Sequence, residues 1–174
     1  MCFLYGKAGL TARLPSKPIN SSIMKIYIVY LRTFENSPEV EIISVTTEEG
    51  KAKAAMTKAK EMEKEWMKDA DENSCDWAEA CMVEHDVAGD FKAGDSVGVS
   101  IITSWVDYVR TEVQAFHDLP SASNHISERK KLDLDEWKTL LPFDEDETIE
   151  ESMHLVDESV MIDIYYSSEL VTLE

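Results

Sequence analysis

Between Lys25 and Thr33 the chain alternates with a period of two, yet it is apolar on both sides of that alternation. Ile26, Ile28 and Tyr30 fall on one side, and Tyr27, Val29 and Leu31 on the other. Strand side chains project to opposite faces in turn, so such a strand needs cover on both. It predicts a central strand in a layered α+β fold. Phe34-Glu-Asn-Ser-Pro38 has the composition of a turn, and Glu39–Thr46 reads as a second strand, so residues 25–46 form a hairpin. Thr47-Glu-Glu then opens a helix, with Thr46 or Thr47 as N-cap and acids in the first turn. Ala52, Ala55, Met56, Ala59, Met62 and Trp66 recur at steps of three and four, and the small alanines let this helix lie close to a sheet. It ends near Asp69–Ser74. Asp76–Val87 follows as a strand, with Trp77, Glu79, Cys81 and Val83 on one face.

After a loop containing Gly89 and Gly94 the pattern recurs. Val97–Ser104 and Tyr108–Phe116 read as strands, Asp118-Leu-Pro-Ser opens a helix through Ala122, Ile126 and Arg129, and Ser159–Ser167 is a last strand. A shift of 71 residues pairs Ile26 with Val97, Ile28 with Val99, Tyr30 with Ile101, Ile42 with Val113, Val45 with Phe116 and Ala55 with Ile126. The expected architecture is two strand–strand–helix–strand repeats forming sheets covered by helices, over residues 24–96 and 97–174. The second carries extra short helices, one at Leu134–Leu141 closed by Pro142, another around Ile149, Met153 and Val156. Residues 1–23, with Gly6, Gly9, Pro15 and Pro18, read as a flexible N-terminal extension. They also read as a translated upstream stretch with Met24 as the start; a targeting peptide fits less well.

Charge is the loudest compositional feature: 35 acids against 17 bases, a net −18. Residues 1–23 carry +3, 69–96 carry −8 and 132–174 carry −13, while 24–68 and 97–131 are neutral. Nucleic acid and anionic membranes are recognised through basic patches, so neither is expected as a direct ligand. The longest apolar runs are too short to span a bilayer. The three cysteines (Cys2, Cys75, Cys81) are too few and irregular for a disulfide framework, and with no secretory signal evident the expected compartment is intracellular.

No cofactor is implied by any motif. Cys75, Cys81 and His85 match none of the usual zinc spacings and lack a fourth ligand. His117-Asp118 and His125 stand where a general base would be useful, but no nucleophile elbow accompanies them, and packing is the plainer reading. Gly89-Asp-Phe-Lys-Ala-Gly-Asp lacks the Gly-Lys-Ser/Thr ending of a phosphate loop. Glu150-Glu151 and Asp144–Glu147 offer paired carboxylates, which also serve as helix N-terminal acids. Of the four tryptophans, Trp105 beside Asp107 is the best candidate for an exposed contact.

Lys-Ile-Tyr-Ile-Val-Tyr followed by Val-Thr-Thr-Glu-Glu-Gly-Lys-Ala-Lys-Ala-Ala resembles short uncharacterised hairpin–helix modules of phage and bacterial hypothetical proteins, over about residues 24–68. The resemblance implies a microbial or viral context and no activity. With the segregated acids it leads to a first expectation: a non-enzymatic inhibitor that mimics nucleic acid. It would occupy the basic groove of a nuclease or defence complex through Asp76, Glu84, Asp86, Asp144, Glu145, Asp146, Glu147, Glu150 and Glu151. Asp76, Glu84 and Asp86 are expected on one strand face, as are Asp163 and Glu169. The alternative is an acidic cytoplasmic adaptor bound through an apolar patch; a third is a small enzyme with His117 or His125 in a site between the halves.

Overall fold

The structure, a computed structural model, describes residues 22–35, 37–70, 76–105, 109–140, 152–157 and 160–174. Its elements in order are β1 (Ile23–Phe34), β2 (Pro38–Thr46), α1 (Glu49–Asp69), β3 (Trp77–Ala88), β4 (Ser96–Trp105), β5 (Val109–Phe116), α2 (Leu119–Leu140), β6 (Ser152–Asp157) and β7 (Val160–Thr172). They make two antiparallel sheets, ordered β2-β1-β3 and β5-β4-β7-β6.

The doubly apolar strand is central, as its sequence demands. Ile26, Ile28 and Tyr30 face the second sheet, where they meet Val97, Val99, Ile101, Val113 and Ala115, with Val45, Val87, Phe91 and Leu173 completing that core. Val29 and Leu31 face the opposite way and are covered by Ala52 and Ala59 of α1, with Ala80 of β3 beside them. On the second sheet Ser100 meets His125 of α2, and Tyr166 meets Asp133. The layers are therefore helix, sheet, sheet, helix, with the largest core between the sheets.

The strand order β2-β1-β3 recurs in the second half as β5-β4-β7. In the hairpin registers, Tyr30↔Ile42 and Leu31↔Glu41 of the first and Ile101↔Val113 and Ile102↔Glu112 of the second are numbered 71 apart. A bulge between Val29 and Tyr30 then uses one extra residue of β2. Beyond it the equivalent positions differ by 70. Ile28↔Val45 is matched by Val99↔Ala115, so in the hairpin registers Val45 stands level with Ala115 and not with the expected Phe116.

Two further expectations are corrected. Leu134–Leu141 is not a separate helix, because α2 runs unbroken from Leu119 to Leu140. Met153 and Val156 lie in strand β6, which pairs with β7, and not in a helix; Ile149 and Pro142 lie outside the described residues. The last strand also reaches further than Ser167, to Thr172. At the start of α1 the residue before the helix is Glu48, which makes no side-chain cap; Thr46 acts two residues earlier, accepting from the Glu48 N–H at 3.2 Å. Asp118 does cap α2, through Ser121 N–H at 2.8 Å, and the Ser121 hydroxyl first and this N–H second hold its carboxyl below its ordinary value.

Residues past the end of β7 lock the two sheets together. Glu174 N–H donates to Val45 O at 3.0 Å, the Ser44 hydroxyl donates to the Glu174 carboxylate at 2.9 Å, and Leu173 is buried in the shared core. On the far side His85 Nε2 donates to Val113 O at 2.8 Å, tying β3 to β5.

Tyr30 of the inner core and Tyr166 under α2 are both phenols held in their neutral form. Burial raises Tyr30 from the ordinary 10.0 to about 12, with nearby Cys81 adding to it. Burial, and then the bond to Asp133, raises Tyr166 further in the same direction. The native state keeps these protons where an unfolded chain releases them. The contribution is full below pH 10 and is lost as pH climbs towards and beyond 12. In an alkaline titration followed at 295 nm, these two tyrosines should ionise well above pH 10, after the exposed ones. Smooth ionisation of every tyrosine near pH 10 in a folded protein would contradict this.

Candidate functional site

Asp76, Glu84 and Asp86 are not brought together. Asp76 precedes β3, in a recess of about 210 Å³ lined by Glu35, Trp66 and Ala70. Glu84 and Asp86 lie eight and ten residues further on, about 25–35 Å away along an extended strand. Glu84 and Asp86 do share a face: both are exposed on the side of the first sheet that carries α1. The other expected contact residues, Asp144, Glu145, Asp146, Glu147, Glu150 and Glu151, lie outside the described residues, as do Cys75, Asp107 and the side chains of Trp105 and Asp163.

Strand pairing also mixes charges that the sequence keeps apart. Lys25 of β1 stands opposite Asp86 and bonds Glu84 at 2.9 Å; Arg32 pairs with Glu79 and lies 5.1 Å over the Trp77 ring. What remains around the end of β3 is Asp86, Asp90 and Asp95, all exposed, with Lys92 as the added base. Surface pairs of this kind contribute little to stability, and their effect here is on the potential of the face.

The backbone of β3 offers a second feature. Gly89 N–H donates to Ser22 O at 2.8 Å, in line with β1, so the odd-numbered residues of β3 turn their N–H groups towards β1. Even-numbered residues must turn theirs to the open edge, and Ala80 shows it: its N–H is taken by Glu63 of α1 at 2.9 Å. The N–H groups of Met82, Glu84 and Asp86 point the same way, and β3 ends its sheet.

Among the described residues a polar cluster that the sequence reading does not name lies under α2. Ser100 and His125 Nδ1 share a hydrogen bond of 3.0 Å, and His125 packs on Phe116 with ring centres 5.1 Å apart. His125 Nε2 is 3.7 Å from Glu112, which also receives Gln114. Arg129 Nε lies 3.0 Å from Asp133 without hydrogen-bond alignment, and the Tyr166 hydroxyl donates to Asp133 at 2.7 Å. Serine, histidine and glutamate are the residue types of a nucleophilic relay. Ser100, however, is 1% exposed beneath the helix, where no substrate reaches it, so the cluster anchors α2. The signal for it was Gly98 and Ser100, small residues on the second face of β4.

His117 is exposed, 3.6 Å from Asp118 and packed near Phe91. A cleft of about 330 Å³ between the sheets is lined by Pro38, Val40, Ile101, Thr103, Tyr165, Tyr166 and Ser167, with hydroxyls but no carboxylate, imidazole or thiol. Among the described residues no group of three or more metal-ligating side chains converges, and no helix is long and apolar enough to cross a membrane. No family model, no curated protein and no solved structure matches this chain.

Proposed function

We propose that this chain is an acidic binding protein that occupies a basic, nucleic-acid-binding surface of another protein, as a counter-defence inhibitor would. The observation that carries the reading is the excess of acids, −18 in net charge, gathered in residues 69–96 and 132–174 and not spread along the chain. Lys25 and Arg32 take up part of the first group, so most of the unbalanced charge belongs to the second, at −13. A body of this charge associates rapidly with a basic groove and loses its grip as salt rises.

The test is capture from a microbial lysate with the tagged protein, with bound proteins identified at low salt and again after a wash at about 0.5 M, where the Debye length falls to about 4 Å. The expected partner is a nucleic-acid-binding protein that is lost at high salt and displaced by added duplex DNA. A partner that resists both salt and DNA would reject mimicry. It would favour instead an adaptor bound through apolar surface, for which Leu132 and Leu170 stand exposed at 63% and 58%.

A further inference from the structure

We infer that the open edge of β3 between Met82 and Asp86 receives an extended basic segment of a partner protein as an added strand; this rests on the reading above and specifies how the contact is made. The edge is a row of alternating backbone donors and acceptors, the N–H and C=O of each even-numbered residue. Ala80 N–H is satisfied from within by Glu63, and the next three outward N–H groups, of Met82, Glu84 and Asp86, have no strand beside them among the described residues. An incoming strand would satisfy them, which is how strand addition gains affinity.

Side chains on the same stretch specify the occupant. Glu84 and Asp86 project from one face of the edge about 7 Å apart, the spacing of alternate residues in a strand. A neighbouring strand with Lys or Arg at every second position places its charges opposite them, and opposite charges directly across a ladder stabilise it. Lys25 on the adjoining strand bonds Glu84 and lies opposite Asp86, so one base stands against two acids. Beside them Met82, on the same face of β3, is 40% exposed, so aliphatic stems of lysine or arginine find apolar surface there. On the opposite face Val83 packs against the shared core and His85 bonds Val113 of β5, so the alternate side chains of an added strand would stand on the apolar side. The segment is therefore an alternation of basic and small apolar residues. A second copy of this chain is a poor occupant of that edge, because it would bring Glu84 and Asp86 against their own kind.

The probe is a capped octapeptide alternating lysine and valine, against the same sequence with N-methylated amides on the edge-facing positions. Charge is identical in the two; only one can bond β3. At low salt the unmodified peptide is expected to bind at least tenfold more tightly, with amide chemical-shift changes and slowed hydrogen exchange at Met82, Glu84 and Asp86. The Glu84→Lys/Asp86→Lys double variant should lose this binding while keeping its fold. Equal, salt-sensitive binding of both peptides without changes at these amides would overturn strand addition and leave a charge-driven contact elsewhere on the protein. Binding of neither peptide would also overturn it, and the lysate capture would decide the wider reading separately.

Discussion

Gly98→Ala is expected to lower the unfolding free energy by about 3 kcal/mol or more, beyond the common range for an overpacked site. Gly98 lies on β4 under the first turn of α2. A β-carbon there would overlap the Asp118 carbonyl and sit 2.8 Å from Leu119 N. These are backbone atoms of a capped helix start, fixed by the bond from Asp118 to Ser121 and by Ala122, which is fully buried. No side chain can swing away to make room, so either α2 lifts or β4 bends. Gly50 is the control: it meets nothing within 4 Å in α1, and alanine there should add about 0.5 kcal/mol through helix propensity. Urea unfolding of both variants measures this, and a Gly98→Ala protein as stable as the parent would mean that α2 does not rest on β4 as described.

Ile28→Ala should cost about 3–4 kcal/mol, the range for emptying a fully buried aliphatic site. Ile28 is completely buried, with strands on both sides and the second sheet in front, so no loop is available to collapse into the cavity. Ile23→Ala at the exposed end of the same strand should change stability by no more than about 0.5 kcal/mol. Comparable losses at the two positions in chemical denaturation would show that the sheets do not meet through Ile26, Ile28 and Tyr30.

How much of this was legible in the chain follows from which interactions are local. The alternation at Lys25–Thr33 revealed a strand covered on both faces because burial on two sides leaves apolar residues at every position. The helix at Glu49–Asp69 was equally plain, since its stripe of alanines and methionines is unbroken. The second helix was cut short because its buried stripe contains an acid. Asp133 is 5% exposed, and only Tyr166, 33 residues away, makes its burial tolerable. Met153 and Val156 are spaced as on a helix, and pairing with β7 overrides that spacing. The bulge at Val29/Tyr30 left no mark in composition and shifted the equivalence of the halves by one residue.

The candidate site was less legible for the same physical reason. Whether an acid on β3 stands alone or against a base depends on the β1–β3 register, which sets Lys25 opposite Asp86 and Arg32 opposite Glu79. Counting charge along the chain placed the acids in segments but not their neighbours across a ladder. The orientation of the N–H groups along β3 is likewise a property of pairing, invisible until the partner strand is known.

The core shared by the two sheets has a consequence for assembly. Each sheet alone would present a wall of isoleucine, valine and tyrosine to water, and a free half would have to find a mate by diffusion. Here Ala88 and Ser96 end and begin the two halves with only seven residues between them. So short a tether holds the mating faces at an effective concentration in the millimolar range. The sandwich therefore closes as an intramolecular event, and its integrity does not fall on dilution as that of two separate chains would.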